Sequence, residues 1–154
     1  MVSETRAFYT VAHLDKDVIA GNQLYTAPDP EGLLFGLISS SMFMTWQCAT
    51  GGRMKSDLRF SNTLTWNNFP VTELNEKQQK AVIAAGKKVI EARALHPDRS
   101  LADHYNPLAM SPELLKAHAA LDKVVDQALG APRRLNAEAQ RLELLFKRYQ
   151  ELSR

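Results

Sequence analysis

The chain has 154 residues, 45% of them hydrophobic and 23% charged, with a formal net charge of +2. That length accommodates one medium domain or two small ones around a real core, and so small a net charge neither demands nor excludes a nucleic-acid partner. A single cysteine, Cys48, excludes an internal disulfide framework and fits a reducing compartment, and no apolar run reaches the length of a membrane span.

In chain order, "RAFYTVAHL" (6–14) is β-branched and aromatic, which predicts a strand. Loop and short-strand material follows, ending in two prolines. Pro30 suits a first helical turn, and "EGLLFGLISSSMFMTWQCAT" predicts one helix over about 31–50, closed by Gly51-Gly52 as a C-cap. Leu34, Phe35, Leu37 and Ile38 are its candidates for burial, and Cys48 reads as a buried helix residue.

From Arg53 to Thr65 the chain alternates. Odd positions hold Arg53, Lys55, Asp57, Arg59, Ser61, Thr63 and Thr65. Even positions hold Met54, Ser56, Leu58, Phe60, Asn62 and Leu64, continued by Trp66. Side chains two apart share a strand face, so this pattern predicts an extended strand over 53–66, stopped by Pro70, with a charged comb on one side.

After Pro70 the period changes to 3.6. "TELNEKQQKAVIAAGKKVIEARALH" carries a stripe of Leu74, Val82, Ile83, Val89 and Ile90 and ends at Pro97, with the short piece "SLADHY" after it. Ser111 and Pro112 open a helix with the stripe Leu114, Leu115, Leu121, Val124, Val125 and Ala128, and Gly130 ends it. Asn136 is the expected cap of a last helix bearing Leu142, Leu145, Phe146, Tyr149 and Leu152. The fold class is therefore α+β. Residues 1–72 mix strand and helix, with 5 basic and 6 acidic residues. Residues 73–154 form a three-helix domain with 14 and 11.

No reaction centre is legible. His13, His96, His104 and His118 lie far apart without an acid or cysteine at ligand spacing, and read as surface or capping residues. Neither GxGxxG nor GxxxxGK[ST] occurs. Asp122, among apolar positions, reads as a helix-surface or interhelix contact. The comb is the informative feature. Most alternating strands simply solvate one face, but alternating signs suit a surface that reads base edges, where Arg and Lys donate to guanine and Asp accepts from cytosine.

The run "GGRMKSDLRFSNTLTWNNFP", with the preceding "LFGLISSSMFMTWQCAT" and the closing "RLELLFKRYQEL", resembles the C-terminal end of MmeI-like DNA methyltransferases, type IIG/IIL restriction–modification proteins. The resemblance extends from "VIAGNQ" to the last helix. It implies that residues 1–72 are the last part of a DNA target-recognition domain and 73–154 a helical C-terminal domain. The resemblance implies a parent chain that transfers a methyl group from S-adenosylmethionine to adenine N6, in a family some of whose members carry an N-terminal nuclease. Neither the methyl-donor motif nor the catalytic Asn-Pro-Pro loop occurs here, so the fragment is expected to hold no cofactor and no active site.

Position by position, the resemblance implies that Lys55 and Asp57 read one base pair. Arg59 would make a further base contact together with Gln23 or its neighbour Asn22, and Arg53, Ser61 and Asn22 would contact or support the DNA backbone. The expected partners are double-stranded DNA and the rest of the parent chain, with no membrane; the expected location is the cytoplasm. The competing reading is a non-enzymatic helical scaffold for protein partners, which offers no reason for the comb.

Overall fold

The structure, a computed structural model, describes residues 2–3, 8–21, 24–54, 57–71, 73–132 and 135–154, and for Val2, Ser3, Arg53, Met54 and Asp57 the backbone alone. The C-terminal half follows from its local signals. Helix α3 (Glu76–Ala94) begins in a reciprocal cap: the Asn75 side chain accepts from Gln78 N–H, and the Gln78 side chain accepts from Asn75 N–H, both at 2.9 Å. Ser100 caps the single turn α4 (Leu101–His104). Ser111 caps α5 (Pro112–Ala128), Pro112 sits at its start, and Gly130, at φ +90°, ends it. Helix α6 (Glu138–Leu152) starts differently from expectation. Its N-cap is Ala137, not Asn136, and Gln140 Oε1 reaches back to accept from Asn136 N–H at 2.9 Å.

The buried stripe of α5 runs Leu114, His118, Leu121, Val125. Leu115 stands a third of a turn away and is exposed, contrary to its expected place in the stripe.

In the N-terminal half, the single helix expected over 31–50 is two: α1 (Leu33–Ile38) and α2 (Ser41–Thr50). The break lies at the buried Ser39 and Ser40. Ser40 Oγ donates to Leu37 O at 2.6 Å and accepts from Phe43 N–H at 3.3 Å, so one hydroxyl ends α1 and starts α2. Gly51 is extended rather than left-handed, and Gly52 already belongs to a strand. Within the described part of 6–14 there is no strand. Tyr9 instead packs edge-on against Phe43 with ring centroids 5.4 Å apart, and burial pushes its hydroxyl up to about pKa 12. Phe8 lies over His118 at 4.1 Å. Aromatic side chains met by helices need no partner strand.

Both halves share one core. α1 lies against α3, and α2 against α6. The α1–α3 approach depends on Gly36 and Gly86: a Cβ at 36 would come within 2.7 Å of Val82 Cγ1 and 3.0 Å of Val82 O. Gly36→Ala is therefore expected to cost about 1–3 kcal/mol of stability, read as a lower denaturant midpoint at unchanged slope.

Asp122 on α5 is an interhelix contact. Its carboxylate accepts from Ser41 N–H at 2.7 Å and from Ser41 Oγ at 2.6 Å, at the N-terminus of α2. Asp126, one turn further, is held by both Nε and Nη2 of Arg141 on α6 at 2.9 Å.

Two of the histidines expected as surface or capping residues are buried, His104, at the end of α4, and His118, inside α5. His118 Nε2 meets the Tyr105 hydroxyl at 2.7 Å, and Arg93 Nε donates to the same hydroxyl at 3.0 Å while its Nη1 donates to Val11 O at 2.8 Å. Burial, with the Arg93 charge second, holds His118 down at about pKa 3. A neutral imidazole thus sits in a network that ties segment 8–11 to the helices.

Candidate nucleic-acid interface

The stretch after α2 folds back on itself. β2 (Gly52–Met54) pairs antiparallel with β3 (Asp57–Arg59), in the register Gly52 with Arg59, Arg53 with Leu58 and Met54 with Asp57. On the other side β1 (Val2–Ser3) pairs with β3, Val2 opposite Leu58 and Ser3 opposite Asp57, so β3 is the central strand. The expected single strand over 53–66 is therefore replaced by a hairpin. Folding back gives its backbone groups hydrogen-bond partners that a lone strand lacks.

The hairpin also changes the comb. Opposed positions of an antiparallel pair share a face. The backbone of Met54 opposes that of Asp57 and the backbone of Arg53 that of Leu58, so even positions of β2 align with odd positions of β3. Leu58 is wholly buried and Arg59 is exposed, so the alternation holds on β3 itself.

Beyond Arg59 the strand ends; Ser61 is extended and Asn62–Trp66 form a π-helical turn, again not the expected strand. Trp66 N–H bonds Ser61 O at 3.2 Å and Asn67 N–H bonds Asn62 O at 2.8 Å, both five residues back. Ser61 Oγ accepts from Leu64 N–H at 3.2 Å, and Asn68 Nδ2 donates to Thr63 O at 2.7 Å. The Ser61 hydroxyl thus caps the turn. These side chains satisfy a backbone that a sheet would otherwise have to pair.

Two buried side chains of α2 hold this unit. Gln47 Nε2 donates to Arg59 O at 3.0 Å, and Trp46 Nε1 donates to Thr65 O at 2.9 Å. Gly51 is required by the first contact, since a Cβ there would lie 1.9 Å from Gln47 Nε2. A third contact comes from the long loop before α1: Tyr25 packs on Phe60 at 4.9 Å, next to Arg59. Leu24 N–H bonds Gly21 O at 3.0 Å in the same loop.

Of the candidate residues, Arg59 ends β3 with an exposed side chain, and Ser61 follows it half-buried. Arg53 lies on β2 and Asp57 begins β3. Lys55, Gln23 and Asn22 lie outside the described residues. An exposed guanidinium at the end of a fixed strand can donate in parallel to guanine O6 and N7 or to phosphate. Gln47, Trp46 and Tyr25 were not found from sequence. The one signal for Gln47 was its place four residues before a glycine pair.

The sheet is antiparallel, and the two glycines with positive φ, Gly32 and Gly130, belong to helix ends. The N-terminus of α1 is already filled by Asp29, which accepts from Gly32 N–H at 3.2 Å, Leu34 N–H at 3.1 Å and Phe35 N–H at 2.8 Å. Among the described residues no cluster of His, Cys, Asp and Glu could hold a metal, and no helix is long and apolar enough to cross a membrane.

Residues 1–73 match the MmeI target recognition domain and residues 74–154 the MmeI C-terminal domain. DNA methyltransferase A of Bacillus subtilis (strain 168) is 35% identical over 151 residues, 98% of this chain and 17% of that protein. A solved structure of the type IIL restriction–modification enzyme MmeI in complex with DNA superimposes with a TM-score of 0.92 at 42% identity, covering 99% of this chain and 20% of that one. The chain thus spans about a fifth of the length of these relatives.

Proposed function

The chain belongs to the MmeI family, and from that premise we propose that it is the DNA-sequence-reading end of a site-specific adenine-N6 methyltransferase, with its helical C-terminal domain. The observation that carries this reading is the central strand β3. It bears Asp57 and the exposed Arg59 in a unit anchored from α2 by Gln47 and Trp46. The likeness to an enzyme solved on DNA supports double-stranded DNA as the partner.

Lys55 and Asp57 read one base pair; Arg59 reads another, with Gln23 or Asn22. Arg53 and Ser61 stand at the DNA backbone, Ser61 through its position at the π-helical turn. The methyl donor binds in the rest of the parent chain, which is the second partner, and the assembly works in the cytoplasm.

The test is the methylated motif of the full-length methyltransferase carrying Arg59→Ala, read by sequencing that detects methyladenine. One good base contact contributes about 1–3 kcal/mol of discrimination, so the motif should become degenerate at one base pair only. An unchanged motif in an active variant sinks the assignment. The isolated chain should show flat calorimetric titrations with S-adenosylmethionine; saturable binding would place the donor site here instead.

A further inference from the structure

We infer that Gln47 and Asp122 are positioning residues for base reading by Arg59, so that the C-terminal helical domain sets the fidelity of the recognition strand through α2. The inference rests on the proposed role of Arg59. Helix α2 is gripped at both ends by groups remote in sequence. At its N-terminus the Asp122 carboxylate, from α5, takes both the N–H and the hydroxyl of Ser41, at 2.7 and 2.6 Å. Near its C-terminus the Gln47 amide donates to the carbonyl of Arg59 itself at 3.0 Å. Between them Met42, Phe43, Met44 and Trp46 are buried, so the helix cannot shift without repacking the core.

The Gln47 amide is costly where it is. The residue is wholly buried, and its Oε1 has no hydrogen-bond partner among the described residues. An apolar side chain of equal size would avoid that desolvation penalty. What glutamine supplies that such a side chain cannot is the N–H on the Arg59 carbonyl. β3 is three residues long and Arg59 is its last, so this bond fixes the point from which the guanidinium projects. Base contacts tolerate displacements of only about 0.5 Å before specificity falls.

The experiment uses the full-length methyltransferase carrying Gln47→Met, Asp122→Ala or Asp122→Asn. The readout is methylation at sites mismatched at the Arg59 base pair divided by methylation at the intact motif, and the same ratio for mismatches elsewhere. These ratios do not depend on how much of a preparation is folded. Gln47→Met and Asp122→Ala should raise the first ratio about tenfold, within the range of discrimination that a whole base contact provides, and leave the others within twofold. Asp122→Asn, which can still accept from Ser41 N–H, should restore most of the fidelity. Unchanged ratios, loosening spread evenly over all positions, or outright loss of activity in both Gln47→Met and Asp122→Ala would overturn the inference. Arg59→Ala in parallel separates the two ideas. If it leaves the motif intact, the role of Arg59 is wrong; if it alone relaxes the motif, the positioning role is wrong.

Discussion

Arg141→Met is expected to lower the unfolding free energy by about 3–5 kcal/mol at pH 7, because it leaves a buried carboxylate without its cation. Asp126 is 1% exposed and both of its oxygens are held by one guanidinium, Oδ1 by Nε and Oδ2 by Nη2, each at 2.9 Å. Burial raises the Asp126 pKa above its ordinary value, and Arg141 opposes that rise. The pH dependence follows from the direction. A carboxyl raised on folding binds its proton more readily in the native state. Its stabilising contribution is therefore present at low pH and lost as pH climbs through the raised value. Without Arg141 the rise is larger, so the deficit of the variant should shrink as pH falls through that raised value and Asp126 takes up a proton. Denaturant unfolding at pH 4 and pH 7 decides the matter. A deficit below about 1 kcal/mol, the range of exposed pairs, or one equal at both pH values, would contradict it.

The damage would not stay local. Arg141 opens α6, which packs on α2 with Phe146 5.7 Å and Tyr149 5.8 Å from Trp46. Trp46 in turn bonds the π-helical turn after β3. The hairpin and its π-helical turn are thus tied to α6 through Trp46 of α2.

What could be seen in the sequence was whatever a few neighbouring residues decide. Ser111-Pro112 and Gly130 bound α5 because a hydroxyl cap, a proline at the first turn and a left-handed glycine act within four residues of themselves. Leu58 and Arg59 take the buried and exposed sides that alternation assigns. Three things were hidden, each for a physical reason. The hairpin escaped because the alternation over 53–66 is in phase throughout, as one continuous strand requires, whereas the register of β2 on β3 pairs even positions with odd ones. The split of α1 from α2 turned on whether Ser40 would continue a helix or cap a new one, and burial between helices settled that. Asp122 looked like an interhelix residue, but its partner Ser41 lies 81 positions away, beyond any local pattern. Gln47 was hidden in the same way, since an amide inside a helical stripe does not announce that it bonds the backbone of a strand.

Reversal of one recognised base pair is the expected outcome of combining Lys55→Glu with Asp57→Arg in the full-length enzyme. Asp57 opens the central strand, its backbone paired with Met54 on one side and Ser3 on the other, and Lys55 precedes it by two residues. Lysine donates to guanine O6 and N7, aspartate accepts from cytosine N4, and each contact contributes about 1–3 kcal/mol of discrimination. The double substitution moves donor and acceptor to each other's positions. The guanine and cytosine of that pair should therefore change strands in the methylated motif. Either single substitution sets two like groups over one base pair and should depress methylation without a new preference. Neighbouring base pairs should keep their identity, because contacts at separated positions contribute almost independently. The backbone of β3 is fixed from both sides and from Gln47, so exchanging side chains at its start need not move Arg59 at its end. Sequencing that maps methyladenine reads all positions at once. A double variant that stays active on the original motif would show that 55 and 57 do not read bases, and one altered at the Arg59 base pair as well would show that the two contacts are not separable.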